Sequence, residues 1–130
     1  METRKKQYQD FAIRNIIAHF SNKWALSIIL VMYKNKTLRY NQIMKLIPDI
    51  SSKVLTSTLR VLETDNLVSR AIYPEIPIRV EYELTKTGRS LAPVIQSLVD
   101  WAALNMKSII KHREEYEAKE KTSVKLDYHG

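Results

Sequence analysis

The chain has 130 residues, 45% hydrophobic and 27% charged, with a formal net charge of +7, a pI near 9.6 and no cysteine. That length supports one domain with a real core, and the composition excludes both a disordered polyelectrolyte and a membrane span, since the apolar run "WALSIILVMY" is too short to cross a bilayer. The missing cysteine excludes disulfides, thiolate metal sites, cysteine nucleophiles and thiol-based redox sensing together.

The basic start "METRKKQYQD" leads into no signal-type apolar segment, which points to a cytoplasmic protein. A positive balance favours a polyanionic partner. Residues 1–36 carry 7 basic and 2 acidic side chains, residues 37–90 carry 8 and 6, and residues 91–130 carry 6 of each. The tail "KHREEYEAKEK" therefore predicts a mixed-charge helix and not a nucleic-acid arm.

Ile13, Ile16, Ile17 and Phe20 fall at helical spacing and predict a short amphipathic first helix. Ser21 or Asn22 can cap the second, whose apolar residues from Trp24 to Tyr33 occupy every side, as in a helix at the centre of a core. After a short extended "LR", Asn41 is a plausible cap for a third helix of about two turns that ends at Pro48. Ser51 caps a fourth helix in which Leu55, Leu59 and Leu62 form the buried stripe. Its opposite face carries Ser52, Lys53, Thr56, Ser57 and Arg60. Asn66 can adopt the left-handed conformation that stops this helix.

From Val68 the period changes to two. Val68, Arg70 and Ile72 alternate with Ser69, Ala71 and Tyr73; after "PEIPI", Val80, Tyr82 and Leu84 alternate with Arg79, Glu81 and Glu83. Two prolines in the connection suit a stiff loop. Thr85 can cap a last helix that runs through Pro93 to about Ala118. Its stretch beyond Pro93 would be roughly 38 Å long, against a radius of gyration of about 14 Å for a compact domain, so it should project. Val94, Leu98, Trp101, Ala102 and Ile109 belong to an apolar face on it too wide for one contact, and a second copy of the same helix is the simplest cover.

The order of elements is mainly α with a small β-hairpin: a winged helix-turn-helix flanked by an N-terminal and a long C-terminal dimerisation helix. "NKW" at the second helix, "ISSKVLTSTLRVLETDNLVSR", "YPEIPIRVEYELTKTGRSL" and Trp101 stand in the order and spacing of a known family. With them the chain resembles the HxlR-type branch of the MarR-like transcriptional regulators. The resemblance implies a homodimeric bacterial regulator, often a repressor, that binds a palindromic double-stranded DNA site. It divides the chain into a basic arm over 1–10, the winged domain with its dimer helix over 11–110, and a charged helix end and tail over 111–130. Members often carry a Cys-Pro sensor near the start of the first helix; Phe11 and Ala12 stand there, which rules out thiol sensing at that site.

In a winged helix the polar face of the fourth helix would enter the major groove. Ser51 and the helix N-terminus then favour a phosphate, Lys53 and Arg60 a phosphate or guanine, and Thr56 and Ser57 a base edge or a thymine methyl. Arg79 at the wing base would reach the minor groove or its phosphates, or else pair with Glu75 or Glu81. Arg39 is the candidate phosphate contact ahead of the third helix, where Tyr40, Asn41 and Lys45 are as readily a solvated face. Ile13, Ile16 and Ile17 join the terminal helix in the expected dimer interface. A small effector pocket between the first two helices and the dimer helix is compatible with this arrangement. His19, His112 and His129 have no second ligand at metal spacing, and no glycine-rich phosphate loop or Ser/His/Asp order is present, so neither a metal, a cofactor nor an enzyme is expected. The competing reading is a winged helix that meets a protein partner and binds no specific DNA.

Overall fold

The computed structural model describes residues 2–129, without the side chains of Glu2 and of residues 125–129. Met1, Gly130 and the His129 side chain lie outside the described residues. The chain forms two compact units, Met1–Ile95 and Gln96–Gly130. The elements are α1 (Glu2–Phe20), α2 (Lys23–Lys34), α3 (Tyr40–Leu46), α4 (Ser52–Thr64), β1 (Val68–Tyr73), β2 (Arg79–Leu84) and α5 (Lys86–His129).

The first unit is built around α2. Ala25, Ile28 and Ile29 have no exposed surface, and Ile43 of α3 and Leu55, Leu59 and Leu62 of α4 close on them. Burying each isoleucine or leucine is worth about 1.5–3 kcal/mol, which is why a helix that is apolar all round ends in the middle. Asn22 caps α2, its Oδ1 accepting the Ala25 amide at 2.9 Å. Ala92 and Ile95, in the part of α5 that belongs to this unit, complete the core.

Local chemistry explains the other boundaries. Ser51 Oγ accepts the Val54 amide at 3.1 Å and starts α4 where expected, and Asn66 stops the helix region with φ of 58°. The cap of α3 is Arg39 and not Asn41: the Arg39 amide donates to Gln42 Oε1 at 2.8 Å, a side chain that reaches back from the third helical position. The turn between α3 and α4 rests on Ile47 and Ile50, both buried, with Asp49 between them at φ of 66°.

α1 extends well ahead of the apolar stripe, because "ETRKKQYQD" holds neither glycine nor proline and consists largely of good helix formers. For the same reason α5 continues past Ala118 through "KEKTSVKLDYH".

β1 and β2 pair antiparallel from Val68 opposite Leu84 to Tyr73 opposite Arg79. The wing is sewn to the helix-turn-helix by a two-bond bridge. The Leu38 amide donates to the Tyr82 carbonyl at 3.0 Å, and the Tyr82 amide donates back at 2.7 Å. Thr85 joins three elements: its hydroxyl donates to the Asn66 carbonyl at 2.7 Å and accepts the Gly88 amide at 3.0 Å, capping α5 against the end of α4.

Candidate nucleic-acid interface

With Leu55, Thr58, Leu59 and Leu62 turned into the core, helical spacing leaves Ser52, Lys53, Thr56, Ser57 and Arg60 exposed on the other face of α4. Neither Lys53 nor Arg60 makes an ion pair with any acidic side chain among the described residues. Two cations on an otherwise uncharged hydroxyl-bearing face carry an unneutralised positive field, suited to phosphate oxygens and to guanine O6 and N7. Ser51, at the α4 N-terminus, adds the partial positive charge of unpaired backbone amides.

Arg39, at the start of α3, is likewise exposed and makes no ion pair with an acidic side chain among the described residues. Tyr40, one residue on, turns its hydroxyl to α4, where it lies 2.8 Å from the Ser52 carbonyl and 3.0 Å from Thr56 Oγ1. That contact ties the two helices across the turn. The sequence signals an amphipathic side chain at position 40 but not its direction, which depends on the angle between the helices.

The wing's arginines are paired, Arg79 within the wing and Arg70 with α4. Arg79 donates from Nη1 to Glu81 at 2.9 Å and from Nη2 to Glu75 at 3.1 Å, with its guanidinium 4.0 Å above the Tyr73 ring. Both of the acidic partners considered from the sequence are thus engaged, and the side chain is held flat on its cross-strand neighbour. Its Nε is buried without a hydrogen-bond partner. Arg70 pairs with Glu63 at 3.2 Å and Arg89 with Glu83 at 3.1 Å. Burial pushes the phenol of Tyr82, on β2, above its usual pKa range; Glu63 adds to this, and Arg70 offsets part of it. His19 of α1 meets Asp65 at the end of α4 at 2.9 Å, a contact between residues 46 apart that periodicity could not foretell.

The apolar residues assigned to a dimer face are solvent-exposed in the single chain. Ile13, Ile16 and Ile17 of α1 are 53%, 56% and 47% exposed, and Tyr8 and Phe11 on the same helix exceed 70%. On α5, Val94, Leu98 and Trp101 are 63%, 56% and 58% exposed; Ala102 is exposed as well, and Ile109 half-buried. Monomeric soluble chains rarely leave several large side chains of one helix uncovered.

Among known proteins, the family model described as HxlR-like helix-turn-helix matches residues 19–110. An uncharacterized HTH-type transcriptional regulator of Methanothermobacter thermautotrophicus is 40% identical over 88 residues, covering 68% of this chain and 66% of that protein. The uncharacterized HTH-type transcriptional regulator YtfH of Escherichia coli is 32% identical over 102 residues, 78% of this chain and 80% of its own. Of solved structures, the redox regulator HypR in its reduced form superposes with a TM-score of 0.70 at 29% identity, covering 77% of this chain and 98% of that one.

Proposed function

We propose, because the chain belongs to the HxlR-like helix-turn-helix family and is accordingly a DNA-binding transcriptional regulator and not an enzyme, that it works in the cytoplasm as a homodimeric repressor on a palindromic operator. The observation that carries this reading is the face of α4, where Lys53 and Arg60 stand exposed, with no ion pair among the described residues, beside Ser52, Thr56 and Ser57. A helix of this size fits the major groove of B-DNA, and short hydroxyl side chains let its axis approach the base edges. Arg39 and the α4 N-terminus at Ser51 then hold phosphates on either side, fixing the register that the base contacts read.

Arg79 has a narrower role in this scheme. Its guanidinium is committed to Glu75 and Glu81, so it shapes the wing, and it meets a minor-groove phosphate only by giving up one of those partners. No single helix among the described residues is long and apolar enough to cross a membrane. The exposed apolar sides of α1 and α5 favour a second copy as their cover, and two-fold symmetry would set two α4 helices against two half-sites.

A second reading has the winged helix meet a protein, and the pairing of the wing arginines Arg70 and Arg79 with glutamates favours it by lowering the wing's free charge. Selection of random duplexes at near-physiological salt separates the two. The DNA reading expects an inverted repeat with half-site centres about 10 base pairs apart. Recovery of no motif by a folded protein would favour the protein-partner reading. Light scattering tests the dimer independently: a mass near twice 15.2 kDa at micromolar concentration is expected, and a monomer would refute it.

A further inference from the structure

Tyr40 carries one hydroxyl proton and meets two oxygens. The Ser52 carbonyl at 2.8 Å only accepts, so the Tyr40 proton goes there. The contact at 3.0 Å with Thr56 Oγ1 is then left with one polarity, in which Thr56 donates its own proton to the Tyr40 oxygen. Thr56 stands exposed in the middle of the α4 face with that proton spent, and it offers outward only oxygen lone pairs and a methyl group. Ser57 beside it is similarly committed, its hydroxyl donating to the Val54 carbonyl at 3.1 Å.

We propose that Tyr40 is a positioning residue that determines specificity: by taking the Thr56 proton it makes the centre of the recognition face a hydrogen-bond acceptor. An acceptor there matches the exocyclic amine of adenine or cytosine in the major groove, and the Thr56 methyl matches that of thymine. Guanine, which presents O6 and N7 lone pairs on that edge, meets lone pairs and is disfavoured. Lys53 and Arg60 on the same face are donors only, so guanine is accepted at the positions they reach and rejected between them. This rests on the DNA-reading function proposed above.

The test titrates the wild-type chain, Tyr40→Phe and Thr56→Val against the selected operator and all its single-base-pair variants. The wild type is expected to reject guanine by about tenfold at one position of each half-site. In Tyr40→Phe the freed Thr56 proton becomes available to guanine, and rejection there falls to about twofold or less while preferences elsewhere and the salt slope stay unchanged. Thr56→Val is expected to alter the same position, which assigns the effect to that hydroxyl. A Tyr40→Phe chain weakened equally on every duplex, or one with an unaltered profile, would overturn the proposal, because a merely structural role predicts the former. A wild type that binds all duplexes alike would instead overturn the function on which the proposal rests.

Discussion

Replacing Lys53 and Arg60 together by alanine is expected to lower affinity for the operator by at least about 100-fold, since each cation at a phosphate or guanine contributes on the order of 1–3 kcal/mol. Both side chains are exposed and neither has an acidic partner among the described residues, so their removal strands no such charge and leaves no cavity in the core. Thermal unfolding should accordingly stay close to wild type. A dimer would lose both cations from each half, and if all four contact phosphates the slope of log affinity against log salt falls by about 3 to 4. If one of them reads guanine, the slope falls by less and specificity relaxes at that base. Arg79 is the less informative site, because its loss strands Glu75 and Glu81 and disturbs the wing together with any DNA contact. Retained affinity in the double variant would move the interface off α4.

Gly88→Ala is expected to destabilise the protein by about 3 kcal/mol, the upper part of the range for forcing a group into occupied space. A methyl added at Gly88 would sit 2.1 Å from the Leu67 carbonyl oxygen and 3.1 Å from Leu84 Cδ2. The carbonyl cannot move aside, because it accepts the Thr85 amide at 3.1 Å beside the start of β1. Relief requires the first turn of α5 to lift, which pulls Thr85 from both Asn66 and the Gly88 amide. The sign is diagnostic. In an open helix the same change would stabilise by about 1 kcal/mol. Circular dichroism melting should show a fall on the order of 10 °C for Gly88→Ala, with the exposed Lys86→Ala within a degree or two as control. A melting point at or above wild type would refute the close approach.

What could be read from the sequence was chemistry that acts within one turn or one strand. The Leu55, Leu59, Leu62 stripe fixes which side of α4 is buried, so its polar face follows without a structure. The caps at Asn22 and Ser51 and the left-handed Asn66 were legible because a short polar side chain acts on backbone within a few residues of itself. The cap of α3 at Arg39 escapes the sequence because Arg39 is not among the short polar residues that mark an N-cap, and the bond comes instead from Gln42, which reaches back to the Arg39 amide. The tie from Tyr40 to Thr56, the contact of His19 with Asp65 and the crowding at Gly88 all join elements distant in the chain. No local pattern encodes the angle at which those elements meet. The polar face of α4 is therefore visible in the sequence as a set of residues, while the partner of its Thr56 hydroxyl is not.

The measurement that tests the central claim most directly is dimethyl sulfate footprinting on the selected operator, because the reagent methylates guanine N7 in the major groove and adenine N3 in the minor groove. With α4 of each protomer in successive major grooves, N7 protection should fall in two patches about one helical turn, roughly 34 Å, apart on one face of the duplex. Adenine N3 protection beside each patch would mark the wing. Unprotected N7 positions under a saturated complex, or protection confined to the minor groove, would contradict the placement of α4 and with it the account given of Lys53, Thr56 and Arg60.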